Sequence, residues 1–180
     1  MNHFGTKKIE TDRLILRRFK EEDAFDIYNS FINDKKYLYY FNKKKRTLDE
    51  QIKSLVGISN KYDNNEYYNW LITLKDYKVI GMINLNIDNY NESVEANYVI
   101  SNKYYNKGYM TEALTEIKNF CLNEMKVNRF FCVCEINNIS SKKVIEKCNL
   151  KYEGILRNYL KLSDGYHDVY IYSFIRNIDI

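Results

Sequence analysis

No stretch of the 180-residue sequence approaches the ~20 consecutive apolar residues of a membrane-spanning helix. The N-terminal MNHFGTKKIETDR also lacks an apolar core of signal-peptide length, so a cytoplasmic protein with no membrane partner is expected. Histidine is scarce: His3 and His167 are too few for an ordinary zinc site, and no metal is expected. A Cys-His nucleophile pair would have to run through His167 and is not favoured. Cys121, Cys132, Cys134 and Cys148 contain no Cys-x-x-Cys pair, and a reducing compartment keeps them as buried thiols. Charge is also modest. A net +4 and a pI near 8.7 help attract an anion but fall short of the clustered positive charge of a nucleic-acid binder. The one basic run, Lys43-Lys44-Lys45-Arg46, reads as a solvated loop, and no nucleic-acid partner is expected. Proline is absent and tyrosine numbers eighteen, a bias that says little about chemistry.

The informative stretch runs from Glu95 to Cys121, EANYVISNKYYNKGYMTEALTEIKNFC. Tyr98 and Ile100 alternate with Asn97 and Val99, the period of a strand. Met110, Ala113, Leu114, Ile117, Phe120 and Cys121 then recur on one helical face. Between them lies Asn106-Lys107-Gly108-Tyr109-Met110-Thr111, a turn in which Gly108 can take angles closed to other residues. Such a turn leaves backbone N–H groups pointing out of a helix mouth, where the dipole favours an anion such as phosphate. The run lacks the Gly-Lys-Ser/Thr of a P-loop and the three glycines of a dinucleotide fingerprint, so a different pyrophosphate ligand is required.

The length suits one domain, residues 1–180, with one good core. Arg13 to Arg17 reads as a strand, and Glu21-Glu22-Asp23 opens a helix with the face Ala24, Ile27, Tyr28 and Phe31. A polar, aromatic loop from Tyr37 to Phe41 follows, able to line a pocket. Thr47-Leu48-Asp49-Glu50 is then a capping box for a helix carrying Ile52, Leu55 and Val56. Tyr68 to Leu74 and Val79 to Ile87 form a hairpin, and Asp88 to Glu92 turns the chain into the Glu95 strand. After the Thr111 helix, Arg129 to Glu135 returns parallel to that strand by the right-handed crossover rule. A short helix from about Ser141 to Lys147 and a hairpin, Tyr152 to Leu162 with Tyr166 to Ile175, close a mixed α/β sheet.

Four segments, which follow one another along the chain as they do in the family, resemble a known family. Lys107-Gly108-Tyr109-Met110-Thr111-Glu112-Ala113-Leu114 is similar to the acetyl-CoA loop and helix start of GNAT acetyltransferases, in the RimJ/RimL-like branch of ribosomal-protein acetyltransferases. Of the family's usual Arg/Gln-x-x-Gly-x-Gly/Ala, only Gly108 is kept, with Tyr105 and Met110 at the flanking places. Asn138 to Leu150 resembles the branch's Asn-x-x-Ser pattern and the helix behind it. Ile9 to Leu14 and the closing Glu153-Gly154 with Asp164 to Val169 complete the resemblance over almost the whole chain.

The resemblance implies a GNAT-like, mostly antiparallel sheet flanked by helices, acetyl-CoA as cosubstrate and transfer of acetyl to a primary amine. The favoured acceptor is a peptide or protein N-terminal α-amine; a polyamine, aminoglycoside or amino sugar, or a catalytically silent CoA-binding module, are the alternatives. It implies contacts to the cofactor from Val99, Ile100, Asn106, Lys107, Gly108, Tyr109, Met110, Thr111 and Asn138, with a main-chain N–H near Val99 polarising the thioester. Glu95 matches the acid of the family's Glu-x-x-Tyr word and is the candidate base. Ile145 stands where many relatives carry the tyrosine that protonates the thiolate, which leaves Ser141 either as proton donor or as helix cap. A monomer or homodimer is expected.

Overall fold

Eight extended segments assemble into one sheet in the computed structural model, which describes residues 1–176. In chain order these are β1 (Ile9–Glu10), β2 (Leu14–Arg17), β3 (Asn69–Leu74), β4 (Val79–Asp88), β5 (Ser93–Ile100), β6 (Arg129–Glu135), β7 (Lys151–Leu162) and β8 (Gly165–Ile175). Their spatial order is β1-β2-β3-β4-β5-β6-β8-β7, and every neighbouring pair except β5 with β6 is antiparallel. The mixed, mostly antiparallel sheet expected from the sequence is therefore present.

Alternation along the strands feeds two cores. One face carries Trp70, Ile83, Val94, Ala96, Phe130 and Cys132, which pack with Met110, Ala113, Leu114 and Ile117 of helix α4 (Tyr109–Asn123) and Ile145 of helix α5 (Ile139–Lys147). Each fully buried Val, Leu, Ile, Phe or Met side chain here contributes roughly 1.5–3 kcal/mol. The other face packs Leu71, Val79 and the partly buried Met82 and Val99 against Ala24, Ile27, Phe31, Tyr37 and Leu55. Helix α3 (Leu48–Ser59) opens with the capping box read from the sequence: Thr47 accepts from the Glu50 N–H while Glu50 accepts from that of Thr47.

Three local expectations need correction. The single helix from Glu21 is a 3-10 turn, Glu21–Asp23, a short helix α1 (Ala24–Ile27) and a π turn, Tyr28–Ile32, although Ala24, Ile27 and Phe31 are buried as predicted. Tyr37 to Phe41 is not a loop: helix α2 spans Lys35–Tyr40. Its aromatic composition shows no helical stripe, and tertiary contacts fix it instead. Asp34 caps the Lys36 N–H, and the Tyr37 and Phe41 rings stack 5.0 Å apart. Finally, Ile9–Glu10 forms a two-residue strand that pairs with β2 and has too short a pattern to read.

What positions the site is the failure of β5 and β6 to stay together. They pair in parallel only over Ser93–Glu95 with Arg129–Phe131. β5 continues along β4 to Ile100, while β6 continues along β8 to Glu135. A wedge therefore opens in the middle of the sheet, lined by main-chain groups that a bound ligand can satisfy. Among the described residues no helix is long and apolar enough to cross a membrane.

Candidate active site

The mouth of α4 is a strained turn. Gly108 is its N-cap at φ +78° and Asn106 precedes it at φ +60°, both in the left-handed region that glycine and asparagine tolerate. Glu112 donates its N–H to the Gly108 carbonyl, so the N–H groups of the three intervening residues head the helix without an intrahelical acceptor.

This turn is clamped from the N-terminal segment. The Arg13 guanidinium donates to Glu112 Oε2 at 2.6 Å and to the Lys107 carbonyl at 3.0 Å, and lies 4.6 Å over the Tyr109 ring. Thr11 and the Arg13 N–H both donate to Glu112 Oε1. Partial burial alone would raise the Glu112 pKa, but these donors outweigh it and hold the carboxyl below its usual value.

A cavity of about 340 Å³ connects this turn to the wedge between β5 and β6. Val99, Ile100, Asn106, Gly108, Tyr109, Met110, Thr111, Asn138 and Ser141, all singled out in the sequence, line it. Two others do not. Lys107 turns outward, with its ammonium 5.3 Å over the Tyr104 ring. Glu95 is the last β5 residue paired with β6, at the apex of the wedge, where it accepts a 3.2 Å hydrogen bond from Asn86 Nδ2.

Sequence reasoning missed several lining residues. Lys143 and Lys147 share one face of α5, and Lys36 reaches in from α2, so three cations border a cavity that ends on a helix N-terminus. The i, i+4 spacing of the first two is a legible signal. Tyr40 and Phe41, from the aromatic stretch that the sequence did single out, line it from the α2 side.

Tyr98 was also missed. Alternation along β5 puts it on the Ala96 face, where its hydroxyl lies 2.8 Å from Ser141 Oγ and 3.2 Å from the Ser141 carbonyl. Burial, reinforced by the neighbouring Cys132, raises this phenol well above its ordinary value, so it carries its proton at neutral pH. The α5 cap is Asn138, whose Oδ1 accepts from the Ser141 N–H at 3.2 Å and from Ser140 Oγ at 2.9 Å. The Ser141 hydroxyl is thereby released from capping and, with Tyr98, forms a protonated hydroxyl pair on the cavity wall. Ile145, at the position where a tyrosine was sought, is wholly buried in the core.

The arrangement joins an anion-binding helix mouth to a main-chain wedge by a channel with proton donors on its wall. The family model described as "Acetyltransferase (GNAT) domain" matches residues 13–151. The uncharacterized N-acetyltransferase YoaA of Bacillus subtilis (strain 168) is 25% identical over 170 residues, which cover 93% of this chain and 96% of that protein. The ribosomal-protein-serine acetyltransferase of Escherichia coli (strain K12) is 26% identical over 110 residues, 61% of this chain and 62% of that one. Among solved structures, RimL, a ribosomal L7/L12 alpha-N-protein acetyltransferase in complex with coenzyme A, superposes with a TM-score of 0.84 at 20% identity. That match covers 96% of this chain and all of the other, 100%.

Proposed function

The chain belongs to the GNAT acetyltransferase family, and on that premise we propose that it moves the acetyl group of acetyl-CoA to the α-amine of a peptide or protein N-terminus. The observation that carries this reading is the single cavity running from the α4 mouth to the β5–β6 wedge. In it, the pyrophosphate of acetyl-CoA lies against the Gly108 to Thr111 N–H groups, with Lys36, Lys143 and Lys147 supplying positive charge. The pantetheine arm follows the cavity past Asn138, and the thioester carbonyl accepts from a main-chain N–H near Val99. Proton delivery to the departing sulfur is assigned to the Tyr98–Ser141 pair. The unpaired, buried cysteines suit a reducing, cytoplasmic setting.

The choice of acceptor rests on proton affinity and charge. An α-amine with a pKa near ~8 yields its proton far more readily than a lysine amine near ~10.4. Glu95, the carboxylate assigned to proton removal, stands four strand residues from Val99, about 13 Å at ~3.3 Å per residue, and so works through water. Lys36 on the cavity wall disfavours a polycation there. The names of the E. coli relative and of the RimL neighbour, both ribosomal-protein acetyltransferases, support a protein substrate.

The test is acetyl-CoA consumption over a panel of N-terminal peptides, polyamines, aminoglycosides and amino sugars, run beside Glu95→Gln. Peptides are expected to turn over best, and the variant to lower kcat by slowing the water-mediated removal of the proton. Polyamine turnover equal to that of the best peptide would overturn the acceptor class. Full activity in Glu95→Gln would remove Glu95 from the mechanism.

A further inference from the structure

One group of ionisable side chains lies on the sheet face opposite α4 and α5, across the wedge from Val99. Glu135 ends β6, and its side chain is only 3% exposed. Its carboxylate accepts at 2.9 Å from both the N–H and the Nδ2 of Asn137. Because β5 and β6 last pair at Glu95 and Phe131, Glu135, four residues on, stands level with Val99 on the far side of the gap. Period-two alternation puts it on the same face as Glu95 and Val99.

His167 of β8 lies beside it. Its Nδ1 is 3.7 Å from Glu135 Oε1, and its Nε2 is 2.9 Å from Asp164 Oδ1. The Tyr39 hydroxyl donates to the other Asp164 oxygen at 3.0 Å, and its ring meets the imidazole edge-on at 6.2 Å. Helix α2 thus holds the tip of the β7–β8 hairpin. The next residue, Tyr40, lines the cavity, and its phenol is raised first by burial and then by the charge of Glu135. The carboxylate is therefore electrostatically in touch with the cavity wall.

The hydrogen bond to Asp164 fixes the tautomer. An ionised carboxylate only accepts, so Nε2 carries a proton, and in the neutral imidazole Nδ1 then presents its lone pair. That lone pair faces Glu135 Oε1 across 3.7 Å, too far for a direct hydrogen bond, and both atoms are acceptors. Two acceptors so placed are bridged by an atom bearing at least two donor hydrogens, which an ammonium supplies together with a positive charge that matches the carboxylate.

Building on the acetyltransferase reading, we propose that His167 and Glu135 form the binding site for the acceptor's ammonium group, and that His167 Nδ1 takes its first proton. The N–H bond to Nδ1 breaks and the electron pair stays on nitrogen, which then attacks the thioester carbon. Glu135 offsets the charge of the imidazolium, which later returns its proton to solvent. The second proton, shed by nitrogen after attack, leaves through water towards Glu95. The C–S bond breaks, and its sulfur gains one proton from the Tyr98–Ser141 pair, which refills from water. One net proton is released per acetyl transferred. His167 touches substrate in this scheme, and Asp164 is a positioning residue. The selected class is a primary amine that arrives as an ammonium.

The test compares wild type, His167→Gln and Glu135→Gln on the best peptide of the panel from pH 6 to pH 9, with acetyl-CoA affinity and thermal melting measured alongside. Glu135, Asp164, Tyr39, Tyr40 and Cys134 are the ionisable neighbours of this site. His167→Gln is expected to lower kcat about 10²-fold or more at pH 7. The deficit should shrink as pH passes the α-amine value near ~8, where free amine forms without help. A weakly basic aryl amine, already neutral at pH 7, should lose far less. Glu135→Gln is expected to raise KM for the peptide while leaving acetyl-CoA affinity unchanged. Unaltered kcat in His167→Gln, or a deficit equal at every pH and for both amines, overturns the proposal. Should His167→Gln fail to fold, the Glu135→Gln KM effect decides alone. A wild type that acetylates no amine at all sinks the acetyltransferase reading itself, and this inference with it.

Discussion

Gly108→Val is expected to reduce acetyl-CoA affinity by roughly 10²- to 10⁴-fold while leaving the fold in place. The reasoning starts from the backbone. At φ +78° a residue with a Cβ carries a penalty of roughly 1–2 kcal/mol, and a β-branched one more. The turn relieves that strain by moving, since a Cβ at Gly108 would meet only the Arg13 Nη2, at 3.4 Å, the far end of a flexible side chain. Once the turn moves, the N–H groups of Tyr109, Met110 and Thr111 no longer converge on one anion. Losing two such charge-assisted hydrogen bonds, each ~1.5–3 kcal/mol, gives the stated range at ~1.4 kcal/mol per decade. Titration calorimetry measures the affinity, and thermal melting within a few degrees of wild type shows that the fold survives. Undiminished binding in a folded variant would remove this turn from the cofactor site.

Gly81→Ala is the second large effect, and it acts on catalysis from the neighbouring strand. Gly81 pairs with Ile100, and a Cβ there would lie 2.4 Å from the Val99 carbonyl oxygen and 3.1 Å from the Ile100 Cα. Both are backbone atoms and cannot swing aside. The strands must separate by about 1 Å to reach the 3.4 Å of ordinary contact. Overpacking of this kind costs roughly 1–3 kcal/mol of stability. More important, it shifts the main chain of Val99 at the open end of the wedge, where the thioester is oriented. A displacement near 1 Å can cost about 10²-fold in rate. Steady-state kinetics on the folded variant should show that loss in kcat/KM, with acetyl-CoA affinity changed much less. A Gly81→Ala enzyme with wild-type kcat/KM would show that the position of Val99 does not matter to the reaction.

Much of this was legible in the sequence because it depended on local rules. The alternation in Glu95 to Ile100, the 3.6-residue stripe of α4, the Thr47–Glu50 box and the closing β7–β8 hairpin each follow from neighbours in the chain. So did the turn at Gly108, since only a few residue types accept its backbone angles. What escaped depended on contacts far apart in sequence. Helix α2 has no stripe of its own and exists because Tyr37 is buried against Phe31 and the Asp34 cap holds. Tyr98 and Ser141 lie 43 residues apart, and nothing in either segment announces that they meet. Arg13 stood out in the sequence as part of an opening strand, yet its guanidinium holds the Lys107 carbonyl and Glu112. Gly81 looked like any strand residue, and its close approach to Val99 appears only once β4 and β5 are in register. Ser141 shows the same limit from the other side. Proton donor and helix cap were equal readings of one hydroxyl until Asn138 was found to supply the cap.

The central claim is that acetyl-CoA occupies the cavity between the α4 mouth and the β5–β6 wedge. A crystal structure of the protein grown with coenzyme A tests this most directly. The predicted result is density for the pyrophosphate within about 3.2 Å of the N–H groups heading α4, the range of an N–H···O hydrogen bond. The thiol should lie in the wedge beside Val99, within reach of the Tyr98–Ser141 pair. Coenzyme A bound elsewhere on the chain, or a pyrophosphate that makes no contact with residues 108–111, would contradict it.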